Sequence, residues 1–186
     1  MEQGTAPDTL YILEHPPTIT LGRNTHARNL LVTEPELARA GIELQQTDRG
    51  GDVTYHGPGQ MVAYPVMNLR RWKCSIGWYL RSLEDVVIET LAVYGITGSR
   101  IAGYTGVWVE DAKVAAIGIA LRNWVTYHGV ALNVEPDMNH FGYIVPCGIT
   151  DKKVGCLSDF VSDVPPVSHV IEQFKRRFID FFASVQ

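Results

Sequence analysis

The chain is poor in cysteine, with Cys74, Cys147 and Cys156 the three among 186 residues. An odd set at irregular spacing excludes a disulfide framework, and no pair stands with a histidine at zinc-finger spacing. A reducing compartment follows, so a cytoplasmic protein is expected, or a mitochondrial one in a eukaryote. Long apolar runs are lacking too. No stretch approaches the ~20 residues of a membrane-spanning helix, and the N-terminus lacks a basic-then-apolar signal pattern. Charge of neither sign dominates: 16 Lys and Arg against 20 Asp and Glu give a formal net charge of −4, which excludes a globally basic nucleic-acid binder. Repeats, linkers and low-complexity tracts are missing, so a single domain over residues 1–186 is expected.

With 46% hydrophobic and 19% charged residues, the chain can bury a core without disulfide or metal. Apolar and β-branched runs at 10–13 and Thr18–Leu21 flank Glu14-His15-Pro16-Pro17 and predict two strands around a rigid turn, because proline fixes its own φ and extends the residue before it. A short helix is expected at 34–40, capped by Thr33 and stopped by Gly41, then a strand at 43–47. Residues 60–69 read as a buried strand in which Pro65 marks an edge or a bulge. Leu80, Leu83, Val87, Leu91 and Tyr94 recur at helical spacing and predict a helix over 78–94, closed by Gly95. Strand-like runs at 100–110, 113–121 and 123–134, turned at Glu110-Asp111 and Arg122-Asn123, predict an antiparallel meander. A last helix is expected over 168–185, with Ile171, Phe174, Phe178, Phe181 and Val185 on one face. Partly segregated helices and strands give an α/β or α+β class, a mixed, largely antiparallel sheet flanked by helices.

The densest signal is the block Arg49-Gly50-Gly51-Asp52-Val53-Thr54-Tyr55-His56-Gly57-Pro58-Gly59-Gln60. Glycine admits backbone angles closed to other residues and lets a ligand approach main-chain N–H groups. Interleaved polar side chains suit a ligand cradle. A glycine-rich hairpin, with His56 a hydrogen-bonded turn residue, fits the same letters.

Chemistry needs a nucleophile and a base. Cys147 stands between Pro146 and Gly148 on a constrained turn, which suits either an inert core thiol or a projecting nucleophile. Cys74, in a loop after Arg70-Arg71-Trp72-Lys73, has no base in view, and Cys156 follows Gly155 with no polar partner; both are expected to be structural. A reactive thiol needs a nearby cation, helix N-terminus or base. Lys113 opens the apolar run Val114-Ala115-Ala116-Ile117-Gly118-Ile119, as the exposed end of a hairpin or as an inward amine able to exchange protons. His56 and His128 are the other bases, each by itself as readily a hydrogen-bonded structural residue.

Together these pieces resemble the octanoyltransferases of lipoate assembly, the lipoate-protein ligase B family. The matching motifs are Glu14-His15-Pro16-Pro17 with Thr20-Leu21-Gly22, the block 49–60, Gly106-Val107-Trp108, 113–118, 128–134 and Pro146-Cys147-Gly148-Ile149, in the family's order across nearly all of 10–157. The resemblance implies the biotin/lipoate ligase catalytic fold. It also implies that Cys147 takes the octanoyl group from acyl carrier protein as a thioester, with Lys113 activating the thiol and shuttling protons. Arg49, Gly50, Gly51, Asp52, Val53, Thr54, Tyr55 and His56, with Ala116, Ile117, Gly118, His128, Gly129, Val130 and Ala131, would line the acyl pocket. The acceptor would be a lysine ε-amine on the lipoyl domains of 2-oxoacid dehydrogenase E2 subunits or on glycine-cleavage H protein. No cofactor or metal is implied, and a monomer is expected.

The chain departs from the family in two places. Members generally begin with a further strand and helix ahead of the segment matching Pro7-Asp8-Thr9-Leu10, which this chain is expected to lack. Gly155-Cys156-Leu157 stands where Val-Thr-Ser-Leu-like residues are usual, an expected change at the pocket rim. Two other readings compete. An ATP-dependent lipoate- or biotin-type ligase shares the fold but adenylates the free acid and needs no cysteine. A non-catalytic binder of carrier domains would keep the pocket and tolerate loss of Cys147. Arg70, Arg71 and Lys73 are a candidate docking patch for an acidic carrier.

Overall fold

The computed structural model describes residues 6–145 and 152–185. Thr9–Leu13 form β1 and Thr18–Leu21 form β2, on either side of the proline turn. The turn sends them into different sheets: β1 enters a seven-stranded sheet and β2 a three-stranded one, counted over the described residues.

The small sheet grows from local signals. The helix α1 (Glu34–Arg39) starts at Thr33, whose backbone N–H and hydroxyl both donate to Glu36 Oε2 at 2.7 Å. Next, β3 (Glu43–Gln46) pairs parallel with β2, and β4 (Thr54–His56) pairs antiparallel on the other side. The middle of the glycine block is therefore a strand. Alternation sorts its faces. Ile19 and Tyr55 join Leu37, Ile42, Val53, Phe141 and Ile144 in a small core, while Thr18, Thr20, Thr54 and His56 turn the other way, into a cavity.

The large sheet is built from β1, β5 (Gln60–Val66), β6 (Ser99–Ile101), β7 (Tyr104–Val109), β8 (Ala112–Arg122) and β9 (Val125–Asn133), in the spatial order β1-β5-β9-β8-β7-β6. A short strand β10 (Lys153–Val154) adds parallel to β8, which the sequence did not announce. The run at 100–110 is not one strand, because Ala102 and Gly103 fold it into the β6–β7 hairpin. The β8–β9 turn falls at Asn123-Trp124, one residue later than expected; φ values of 54° and 66° supply the left-handed pair that a two-residue hairpin needs. Pro65 lies inside an interior strand. The β5–β9 ladder breaks after Ala63 opposite Val130 and resumes at the Asn68–Val125 bridge, so the residue without an N–H occupies the gap.

Two long helices, α2 (Ile76–Ala92) and α3 (Val167–Ser184), cover one face of this sheet. Ser75 caps α2, its Oγ accepting from Trp78 N–H at 3.2 Å. Of the expected stripe Phe174 and Phe178 are buried, but Val170 and Phe182 complete the row in place of Ile171, Phe181 and Val185; Phe181 is only partly buried and Val185 is 43% exposed. The aromatic rings of Trp72 and Trp78 meet Phe182 edge-on at 5.3 and 6.1 Å, which selects that row. Each buried phenylalanine contributes about 2 kcal/mol. The other face of the large sheet is left to meet the small sheet.

Candidate active site

The polar face of the small sheet closes over the outer face of β5, β9 and β8 and leaves a cavity of about 340 Å³. Its two walls follow different rules. On the small-sheet wall the polar groups are already engaged. Arg49, 9% exposed, donates from Nη2 to Thr20 O at 2.7 Å and to Thr20 Oγ1 at 2.9 Å, and from Nη1 to Gly50 O at 3.2 Å. Thr18 donates its hydroxyl to Pro16 O at 2.9 Å and Thr47 donates its own to Leu21 O at 3.0 Å. Asp52 accepts from its neighbour Val53 N–H at 2.7 Å and from the Asn29 side-chain amide.

His56 is buried, and burial pushes its pKa down to about 4. Gln60 Nε2 donates to Tyr55 O at 3.1 Å and to Asn133 Oδ1 at 2.8 Å, so Gln60 Oε1 accepts from His56 Nδ1–H at 2.7 Å. That fixes a neutral imidazole with its proton on Nδ1 and Nε2 unprotonated. Gly50 and Gly118 serve close approach more than ligand access. Gly50 N–H donates to Ile119 O at 2.8 Å, and a Cβ on Gly118 would lie 2.8 Å from Gly50 O.

The opposite wall is made of small groups: Val62, Ala116, Gly118, Gly129 and Ala131. Lys113 stands at one end of it. Plain alternation from Ala116 would turn Lys113 to the helix side, but β8 is bulged here. Between Val107 and Trp108 of β7 the register slips, Val107 facing Ala115 and Trp108 facing Lys113. Consecutive Val114 and Ala115 therefore both enter the helix-side core, and Lys113 lines the cavity with Ala116. A bulge re-aims the lysine.

Cys147 lies outside the described residues. Its flanks are held on both sides. Upstream, Val145 N–H donates to Asn29 O at 2.8 Å and Leu31 N–H to Tyr143 O at 2.9 Å. Downstream, Gly155 N–H donates to Lys113 O at 3.0 Å, and Asn133 Nδ2 to Gly155 O at 2.9 Å. The chain returning from the cysteine is thus bonded to the backbone of the cavity lysine.

About 16 Å along β8, five residues on from Lys113, the cavity ends in aromatic and imidazole groups. His15 Nε2 and Tyr64 OH share a hydrogen bond of 2.7 Å, and Tyr64 stands edge-on to His128 at 6.3 Å. The carboxylate of Asp48 accepts from His128 Nε2 at 2.8 Å and from Tyr127 OH at 2.6 Å.

Of the residues named from sequence, Lys113, Arg49, Gly50, Gly51, Asp52, Val53, Thr54, His56, Ala116, Ile117, Gly118, His128, Gly129, Val130 and Ala131 come together around the cavity. Tyr55 does not. Its ring packs in the small core against Phe141 at 5.3 Å, and its hydroxyl bonds His140 Nδ1 at 2.8 Å. Cys156 is not without polar partners: its Sγ lies 3.1 Å from Ser158 Oγ and 3.4 Å from Asp159 Oδ2. Arg71 of the suggested docking patch is tied to Asp8 at 3.4 Å. Thr18, Thr20, His15, Val62 and Tyr64 were missed as lining residues. The alternation Thr18-Ile19-Thr20 carried a signal for a polar face; nothing local marked Asn29.

Residues 1–182 match the family described as "Lipoyl protein ligase A/B catalytic domain". The octanoyltransferase of Solibacter usitatus is 52% identical over 97% of this chain and 81% of that protein. That of Thermosynechococcus vestitus is 49% identical over 97% of this chain and 76% of its own length. Among solved structures, lipoate-protein ligase A bound with ATP superposes with a TM-score of 0.82 at 19% identity, over 96% of this chain and 74% of that one. A bipartite lipoate protein ligase from Thermoplasma acidophilum, described with its E2 lipoyl domain, gives 0.80 at 20% identity over 96% and 72%. The chain belongs to the octanoyltransferases of the lipoyl protein ligase A/B catalytic domain family.

Proposed function

We propose that this octanoyltransferase works by a cysteine thioester, with octanoyl-acyl carrier protein as donor and a lipoyl-domain lysine as acceptor. The carrying observation is Lys113, a lysine turned by a bulge into the cavity, whose own carbonyl binds the chain returning from Cys147. The octanoyl chain lies along Ala116, Gly118, Gly129 and Ala131, its carbonyl at the Lys113 end. Each buried methylene contributes about 0.8 kcal/mol.

In the first half-reaction Lys113 takes the Cys147 proton. The thiolate attacks the thioester carbonyl, the new C–S bond forms, and the carrier's thiolate leaves with the proton that Lys113 returns. In the second, the acceptor ε-amine attacks the acyl-enzyme, Lys113 receives its proton, and the thiolate of Cys147 departs as the amide forms. Exchange between thioesters is nearly balanced, and the amide is the lower-energy product, so no ATP is consumed. Backbone N–H groups beside the cavity would hold the oxyanion. Lipoyl domains of 2-oxoacid dehydrogenases and the glycine-cleavage H protein carry the acceptor lysine, and a free thiol suits the reducing cytoplasm.

Incubation with octanoyl-acyl carrier protein alone, read by intact mass, is expected to give an octanoyl adduct on the wild type and none on Cys147→Ser. A folded wild type that forms no adduct, yet transfers octanoate when ATP is supplied, overturns the thioester scheme in favour of an adenylating ligase.

A further inference from the structure

We propose that Gly106 and Trp108 of β7 form a seat that positions the Lys113 ammonium, braced by the buried carboxylate of Glu84; the role rests on Lys113 as the proton carrier of the proposed reaction. The motif Gly106-Val107-Trp108 is otherwise without a function in the site.

Three observations place the seat. Trp108 pairs directly with Lys113 across the β7–β8 ladder, so both side chains leave the sheet on the same face. The Lys113 Nζ stands 5.7 Å from the centroid of the Trp108 ring, within the range of a cation–π contact. Beside it, the lysine stem and the β8 backbone both cross Gly106: a Cβ there would lie 2.5 Å from Ala115 O, 2.5 Å from Lys113 Cε and 3.3 Å from Nζ. Only a residue without a side chain lets β8 and its lysine stem lie this close to β7.

Gly106 is held in that conformation from another element. Its φ of +127° is closed to other residues, and β7 spends four steps, Tyr104 to Trp108, where β6 spends two, Ile101 to Ser99. The irregularity turns Gly106 N–H to Glu84 Oε1 of α2 at 3.1 Å. Glu84 is 1% exposed, and its other oxygen accepts from Arg81 Nη1 at 2.6 Å and Arg100 Nε at 2.8 Å. A buried carboxylate with both oxygens engaged is a rigid anchor. Bulges on both edges of β7 thus meet at one lysine. Trp108 itself is fully buried with its indole N–H unpaired among the described residues. Its ring face is kept toward the amine at the expense of a hydrogen bond that a purely structural tryptophan would make.

The experiment measures single-turnover formation of the octanoyl adduct, the KM for octanoyl-acyl carrier protein and thermal unfolding for a small set of variants. Gly106→Ala forces the stem to shift by about 1 Å and is expected to slow adduct formation by roughly a hundredfold with KM unchanged. Gly103→Ala controls for backbone strain; because Gly106→Ala also meets Ala115 O, its rate is read together with the Trp108 pair, which leaves that carbonyl untouched. Gly103 also has positive φ, +85°, but a Cβ there meets nothing within 4 Å, so it takes the backbone strain alone and keeps the wild-type rate. Trp108→Phe keeps a weaker ring and removes the unpaired donor; it is expected to stay folded and lose rate modestly. Trp108→Leu loses the aromatic face and is expected to lose more. Should Gly106→Ala fail to fold, the Trp108 pair decides. Folded Trp108→Leu at the wild-type rate overturns the seat, as does Gly106→Ala slowed no more than Gly103→Ala. Lys113→Ala separates the two levels. A slow Lys113→Ala with fast seat variants sinks the seat alone, whereas a fast Lys113→Ala removes the proton-carrier reading beneath it.

Discussion

The two walls of the cavity put their polarity to opposite uses. The small-sheet wall holds Arg49, Asp52, Thr18, Thr20 and His56, and each of these side chains is committed: to backbone groups, to one another, to Asn29, or to Gln60. The large-sheet wall is alanine, valine, isoleucine and glycine around one lysine, with Tyr64 and His128, both hydrogen-bonded, at its far end. The wall richest in chemical groups is scaffold, and the poorest wall delivers the group proposed to move protons. Polar side chains near a ligand indicate chemistry only when their hydrogen-bonding capacity is left over.

Removing the lysine of the large-sheet wall gives the largest expected effect. Lys113→Ala should slow octanoyl transfer by about 10²–10⁴-fold while its melting temperature stays close to wild type, because the ammonium adds little to the core. An equal loss in rate and stability would erase the contrast between the walls.

On the scaffold wall the expected effect is on stability. Burial first, then the charges of Arg49, His15 and His128, lower the His56 pKa from 6.5 to about 4 in the fold, with the Gln60 bond opposing. The unfolded chain therefore binds a proton between those values that the fold refuses. The neutral-His56 contribution is whole above pH 6.5 and lost as pH falls through 4, a difference of about 3 kcal/mol. His56→Asn keeps a donor toward Gln60 but cannot titrate. Urea unfolding of both proteins at neutral and acid pH should show the wild type losing more stability by that amount. A shared slope would mean that His56 is accessible to protons.

The smallest effect is expected where the walls meet, at the far end. Tyr64, bonded to His15, closes the cavity there. Tyr64→Ala should raise transfer of a chain one carbon longer than octanoyl by up to about fourfold, the gain from one methylene newly buried. An unchanged chain-length profile in an active variant would place the stop elsewhere.

Much of this architecture was legible before any coordinates. The helices α1, α2 and α3, the strands β1, β2, β8 and β9 and the β7–β8 turn follow from period and punctuation, and each lies within two or three residues of its expected place. What was misread depended on partners far along the chain. The run 100–110 looked continuous because Ala102-Gly103 is a weak turn signal, yet pairing of Ile101 with Tyr104 splits it. The α3 stripe was turned because Phe181 and Phe182 are equal in hydrophobicity, and only Trp72 and Trp78 distinguish them. Asn29 carries no local mark, and its role exists only because Asp52 and Val145 arrive beside it.

By itself the sequence determined the class of fold, the family, and which residue types could do chemistry, since those rest on composition, period and motif order. The tertiary structure decided which way each group faces. Lys113 belongs by simple alternation to the helix side of β8, and a single register slip against β7 puts it in the cavity. A strand's sidedness has a period of two, so one extra residue inverts it. That residue is set by pairing between strands, which neighbours in sequence do not encode.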